Sequence, residues 1–117
     1  MKTLLIVLLP LLFIQATAAH DCKPERRALS DKNLSEKRAL HDRHKVARRA
    51  LADKHDEEKA AAKKKNADLK EQRSIEDRQR AEKRKLSDQQ LAEKRAMKDA
   101  QIKAKEQLRE SCAKKSG

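Results

Sequence analysis

Arg26-Arg27-Ala28-Leu29, Lys37-Arg38-Ala39-Leu40 and Arg48-Arg49-Ala50-Leu51 are successive copies of one pattern, each eleven residues after the last. A degenerate copy, Lys59-Ala60-Ala61-Ala62, follows at the same interval. Asp31, Asp42 and Asp53 keep this register, as do Lys32, Arg43 and Lys54. Eleven residues make three turns at about 3.67 residues per turn, so the Leu column stays on one face of an α-helix with a slight right-handed drift. A strand has no use for that period.

Beyond Ala62 the phase slips. Ile75, Leu86, Met97 and Leu108 form a second eleven-residue column displaced by two residues from the first. The intervening Lys63-Lys64-Lys65-Asn66-Ala67-Asp68-Leu69-Lys70-Glu71 carries the chemistry of a helix end and a new start. Lysines suit a helix C-terminus, Asn tolerates the left-handed conformation, and Asp68 with Glu71 reads as an N-cap and capping box. A break near 63–68 is therefore expected, with a continuous helix carrying a stutter as the alternative. The fold class is all-α: a long charged amphipathic helix, arranged as an antiparallel helical hairpin or as a coiled coil. Its seam residues are Leu29, Leu40, Leu51, Ile75, Leu86, Met97 and Leu108.

The chain has two cysteines, Cys22 and Cys112, whose midpoint is residue 67. In an oxidising compartment they suit an intramolecular disulfide tying the open end of a hairpin, or an intermolecular bridge between continuous helices. Four residues past each Leu of the first column stand Asn33, His44, His55 and Asn66, which read as a polar flank of the seam or as pH-sensing imidazoles. Leu91 and Ile102 lie about 140° around the helix from Leu86 and Met97. A second apolar stripe implies a second neighbour, hence a homo-oligomer.

Composition limits what else the chain can be. It has one Phe and no Trp or Tyr, and 43% of its residues are charged. Burial at about 25 cal/mol per Å² does not offset ordering costs of roughly 1–2 kcal/mol per residue in a compact globule of such residues. Disorder would compete, except that Ala, Leu, Lys, Arg, Glu and Gln are strong helix formers and no Pro or Gly lies between Pro24 and Gly117. The first residues read as a signal peptide over 1–19: Lys2, an apolar run from Leu4 to Ile14, then Ala16-Thr17-Ala18-Ala19. A short segment over 20–24, the helical region over 25–112 and a flexible tail over 113–117 follow. The expected location is secreted and extracellular.

The net charge is +12. It favours anionic partners: anionic lipid membranes or lipopolysaccharide, with nucleic acid the least accessible to a secreted protein. A cationic amphipathic helix can lie on such a surface with its basic residues over the head groups. Candidate anion- and lipid-binding residues are Arg26, Arg27, Lys37, Arg38, Arg48, Arg49, Lys83, Arg84, Lys85, Lys94 and Arg95. No catalytic constellation and no metal-ligand cluster stands out, so neither an enzyme nor a cofactor is expected. Asn33-Leu34-Ser35 fits the N-glycosylation sequon.

Gln90-Leu91-Ala92-Glu93-Lys94-Arg95 resembles the corresponding stretch of the stathmin helix, and the charged, aromatic-poor surroundings are similar in composition. The signal segment sets the chain apart from cytosolic stathmins. Combined with the Ala-Leu repeats, it resembles the secreted stathmin-like immunomodulatory proteins of blood flukes, related to the helminth defence molecules. That resemblance implies an excreted protein that self-associates, binds membranes or lipopolysaccharide, meets host cell-surface or intracellular signalling proteins and dampens innate signalling. The stathmin likeness alone implies a helical protein-binding module with a tubulin-like partner.

Overall fold

The computed structural model describes residues 22–116. The expected signal peptide lies outside them. Two helices account for nearly all of the described chain: α1 over Lys23–Lys64 and α2 over Leu69–Ser116. Both match their dipoles, with Glu25 and Glu71 in the first turns and Lys63, Lys64, Lys114 and Lys115 in the last.

The turn is built from the residues the sequence marks out. Asn66 takes the left-handed conformation at φ 52°. Its N–H donates to Lys63 O at 3.2 Å, and the N–H of Ala67 donates to Ala62 O at 3.0 Å. These are the two bonds of a Schellman motif, with Asn66 in the place usually held by Gly. Asp68 Oδ1 then accepts from the N–H of Glu71 at 2.8 Å and caps α2. The Glu71 carboxylate pairs with Lys65 Nζ at 2.9 Å across the turn.

Two boundaries differ from the sequence expectation. The helix includes Lys23 and Pro24, because a proline in the first turn lacks only an N–H that has no helical acceptor there. At the other end α2 runs through 113–116, where a flexible tail was expected. Ala113 favours helix and the two lysines suit its negative end.

The architecture is an antiparallel helical hairpin, in which α1 and α2 pair inside each of two compact units. One unit comprises 35–99 and includes the turn; the other comprises, among the described residues, 22–34 with 100–116. Cys22 and Cys112 form the intramolecular disulfide of the second unit, with Cα atoms 6.1 Å apart.

The core is not the Leu seam alone. Of the seven seam residues only Leu40 is buried; Leu29, Leu51, Ile75, Leu86, Met97 and Leu108 are half-exposed. The line of closest approach is instead Cys22, Asn33, His44 and His55 on α1 against Gln79, Gln90, Gln101 and Cys112 on α2, all buried except the half-buried Gln101. Asn33, His44 and His55 are thus interior, not a polar flank. Within 35–99, Gln90 Nε2 donates to His44 O at 3.0 Å and Gln79 Nε2 to His55 O at 3.1 Å. Within the other unit Gln101 Nε2 donates to Asn33 O at 2.9 Å, and the disulfide forms the remaining rung. Each rung steps eleven residues down one helix and eleven up the other. The glutamine amides suit this line because each places its N–H on a backbone carbonyl of the opposite helix, whereas the buried Nδ2 of Asn33 has no partner.

Candidate anion-binding groove

In 35–99 the two sides of the interhelical line carry different chemistry. On one side stand Lys54, Glu58, Arg78 and Glu82. Arg78 donates to Glu58 at 2.6 Å and Lys54 to Glu82 at 3.2 Å, with longer links of 3.9 Å from Lys54 to Glu58 and 3.6 Å from Arg78 to Glu82. The hydrogen bond from Arg78 holds the Glu58 carboxyl below its ordinary pKa, and that from Lys54 does the same for Glu82. Glu82 also accepts from His55 Nε2 at 3.4 Å, and Glu93 accepts from His44 Nε2 at 3.0 Å. The imidazoles are 3% exposed, and the buried Nδ1 of each has no hydrogen-bond partner. This side is internally neutralised.

On the other side lies an open groove of about 470 Å³. Its apolar lining is Leu51, Ala52, Leu86 and Leu91. Its cations are Arg48, Lys83 and Lys94. Ser87 and Gln90 complete it, so no carboxylate lines it. Arg48 is held in place: its Nη1 donates to Gln90 Oε1 at 3.1 Å, the same amide whose nitrogen is fixed on His44 O. Among the described residues neither Lys83 nor Lys94 has an ion-pair partner. The half-buried leucines of the seam form this floor because the Gln line, and not the Leu line, takes the closest approach.

Two further grooves have the same phase of the repeat. One in the disulfide-closed unit, about 370 Å³, has Leu29 and Leu108 beneath Arg26, Lys105 and Arg109. One beside the turn, about 190 Å³, has Ala62 and Ile75 beneath Lys59 and Lys63 and is also lined by Glu76. Of the cations singled out in the sequence, Arg26, Arg48, Lys83 and Lys94 line grooves. Arg27, Lys37, Arg38, Arg49, Arg84, Lys85 and Arg95 line none of these three. In the pairs Arg26-Arg27, Arg48-Arg49 and Lys94-Arg95, the first residue faces the groove, and the second lies a further 100° around the helix, away from the partner. Lys105 and Arg109 were missed in the sequence reading, although Lys105 lies eleven residues after Lys94.

Comparison with known proteins returns no matching family model, no matching curated protein and no matching solved structure.

The stretch from Gln90 to Arg95 is partly consumed inside the hairpin, since Gln90 and Glu93 both bind α1 while Leu91 and Lys94 line the groove. Asn33 Nδ2 is buried, so a glycan on the sequon and the closed hairpin exclude one another. Among the described residues no helix is long and apolar enough to cross a membrane, and no cluster of three metal-ligating side chains occurs.

Proposed function

We propose that the chain is a secreted, non-enzymatic protein that binds anionic lipid surfaces, membranes or lipopolysaccharide, through its grooved cationic face and thereby dampens host innate signalling. The observation that carries the binding half is the groove at Leu51 and Leu86, in which three cations surround an apolar floor with no carboxylate among the lining residues. Its opposite side is rich in carboxylates already paired to cations and offers an anion little. The signalling half comes from the resemblance to secreted stathmin-like proteins. Exposed Leu34, Val46 and Ile102 leave apolar surface for self-association. A protein-capturing role of stathmin type gains less support, because Gln90 and Glu93 of the resembling stretch are engaged within the hairpin.

Co-sedimentation with phosphatidylserine-containing vesicles tests the binding. Adsorption is expected at low salt, none on phosphatidylcholine alone, and release as salt shortens the screening length. Each basic residue near an anionic surface contributes about 1 kcal/mol, so Lys83→Gln with Lys94→Gln should lower the partition coefficient roughly thirtyfold. Failure of the unaltered protein to sediment with acidic vesicles at low salt would overturn the proposal.

A further inference from the structure

We infer that the groove between Leu51 and Leu86 is a discrete site for one single-chain amphiphile, an alkyl chain bearing a phosphate head, taken up as a monomer. The inference rests on the anionic-lipid reading above and narrows it from adsorption on a surface to a bound molecule.

Size, polarity and preorganisation point the same way. At about 470 Å³ the groove falls within the roughly 300–1,000 Å³ of small-molecule sites. Its floor is aliphatic and its rim cationic, the polarity of an alkyl phosphate in reverse. Arg48 presents a guanidinium already positioned by Gln90, and a planar guanidinium matches phosphate oxygens in a bidentate way. Lys83 and Lys94 add two ammonium groups that no described carboxylate neutralises. Leu91, 47% exposed, supplies an apolar wall that the hairpin itself does not require. The other two grooves lack this combination. The smaller one has Glu76 in its lining, which repels an anion, and the disulfide-end groove is lined by only two leucines, Ile102, eleven residues after Leu91, not being among the lining residues.

Lys83 and Lys94 stand eleven residues, about 16 Å, apart along α2, so a phosphate head seated on Arg48 meets one of these lysines at a time while the alkyl chain lies along Leu86, Leu51 and Leu91. No covalent change is involved. The chain stays partly solvated because the groove is open, so affinity should grow with chain length while further methylenes still find the floor.

Isothermal titration of the disulfide-closed chain with dodecyl phosphate, kept below its micelle-forming concentration, tests this. Saturable binding at one site per chain is expected, with none for inorganic phosphate. Decyl phosphate should bind several-fold more weakly, with about fifteenfold as the ceiling set by two fully buried methylenes at roughly fourfold each. Leu91→Gln, at an exposed position and checked for unchanged helix content, should weaken dodecyl phosphate about tenfold by removing apolar contact. Equal affinity for the two chain lengths, or for Leu91→Gln and the unaltered protein, would overturn the site. So would a Leu91→Gln variant that dissociates an oligomer in sedimentation velocity while dodecyl phosphate binding stays the same, since a second copy would then own the groove. Binding of acidic vesicles without binding of dodecyl phosphate defeats this site and leaves the surface reading standing; loss of both defeats the two together.

Discussion

The disulfide-closed unit and the unit that holds the turn use one spacing and two chemistries. In 35–99 each rung is an imidazole-bearing residue under a glutamine, with a carboxylate on the ring: His44 with Gln90 and Glu93, His55 with Gln79 and Glu82. In the other unit Asn33 takes the place of the histidine and Ala104 stands where the spacing elsewhere places Glu82 and Glu93. The next rung is covalent. A carboxylate therefore appears where an imidazole N–H needs an acceptor and is absent where an amide stands instead. One unit coheres by a covalent bond; the other by a chain of hydrogen bonds and ion pairs around a turn whose caps are already satisfied.

Breaking the covalent rung should have the largest effect. Cys22→Ser with Cys112→Ser, which opens a loop with a sequence separation of 90, is expected to lose about 4–5 kcal/mol in the chain-entropy model. Hydrogen exchange followed by mass spectrometry should show protection falling first over 22–34 and 100–116. A uniform loss over the whole hairpin would mean that the two units are not separately held.

A smaller effect separates the amide rungs. Gln90 is buried and its amide both donates to His44 O and accepts from Arg48. Gln90→Ala should cost about 1–3 kcal/mol in chemical denaturation, and Gln101→Ala, at a half-buried rung, about 1 kcal/mol or less. Equal losses would remove the distinction between the rungs of the two units.

Acid sharpens the comparison most gently. The Glu58 and Glu82 carboxyls are held below their ordinary values by Arg78 and Lys54, so their stabilisation is present above the unfolded carboxylate range and fades as pH falls through the folded values. Both are half-buried and still reached by solvent, so the shift in thermal midpoint should be small. Arg78→Gln with Lys54→Gln should flatten the acid branch of the midpoint-against-pH curve. An unchanged branch would show that these ion pairs contribute nothing to the turn unit.

Much of the fold was legible in the residues. The eleven-residue period dictated helix, the two-residue slip marked the interruption, and Asn66 and Asp68 supplied the C-terminal and N-terminal caps. The two cysteines, equidistant from the turn, favoured the hairpin over the alternative of a bridge between continuous helices, and the intramolecular disulfide agrees. The core was less legible, because the apolar column does not mark the closest approach, which falls on Asn33, His44 and His55.

Sequence alone determined that each helix repeats its surface every eleven residues, since that follows from covalent spacing and the pitch of the backbone. Only the tertiary structure decided which column of the repeat faces the partner. Periodicity specifies the phase of residues relative to one another and leaves free the rotation of the helix about its own axis. Pairing settled that rotation by setting Asn33, His44 and His55 against Gln79, Gln90 and Gln101, where amides can bond to the opposite backbone. The leucines then moved half out of the core to floor a groove, and one cation of each of three basic pairs came to line a groove.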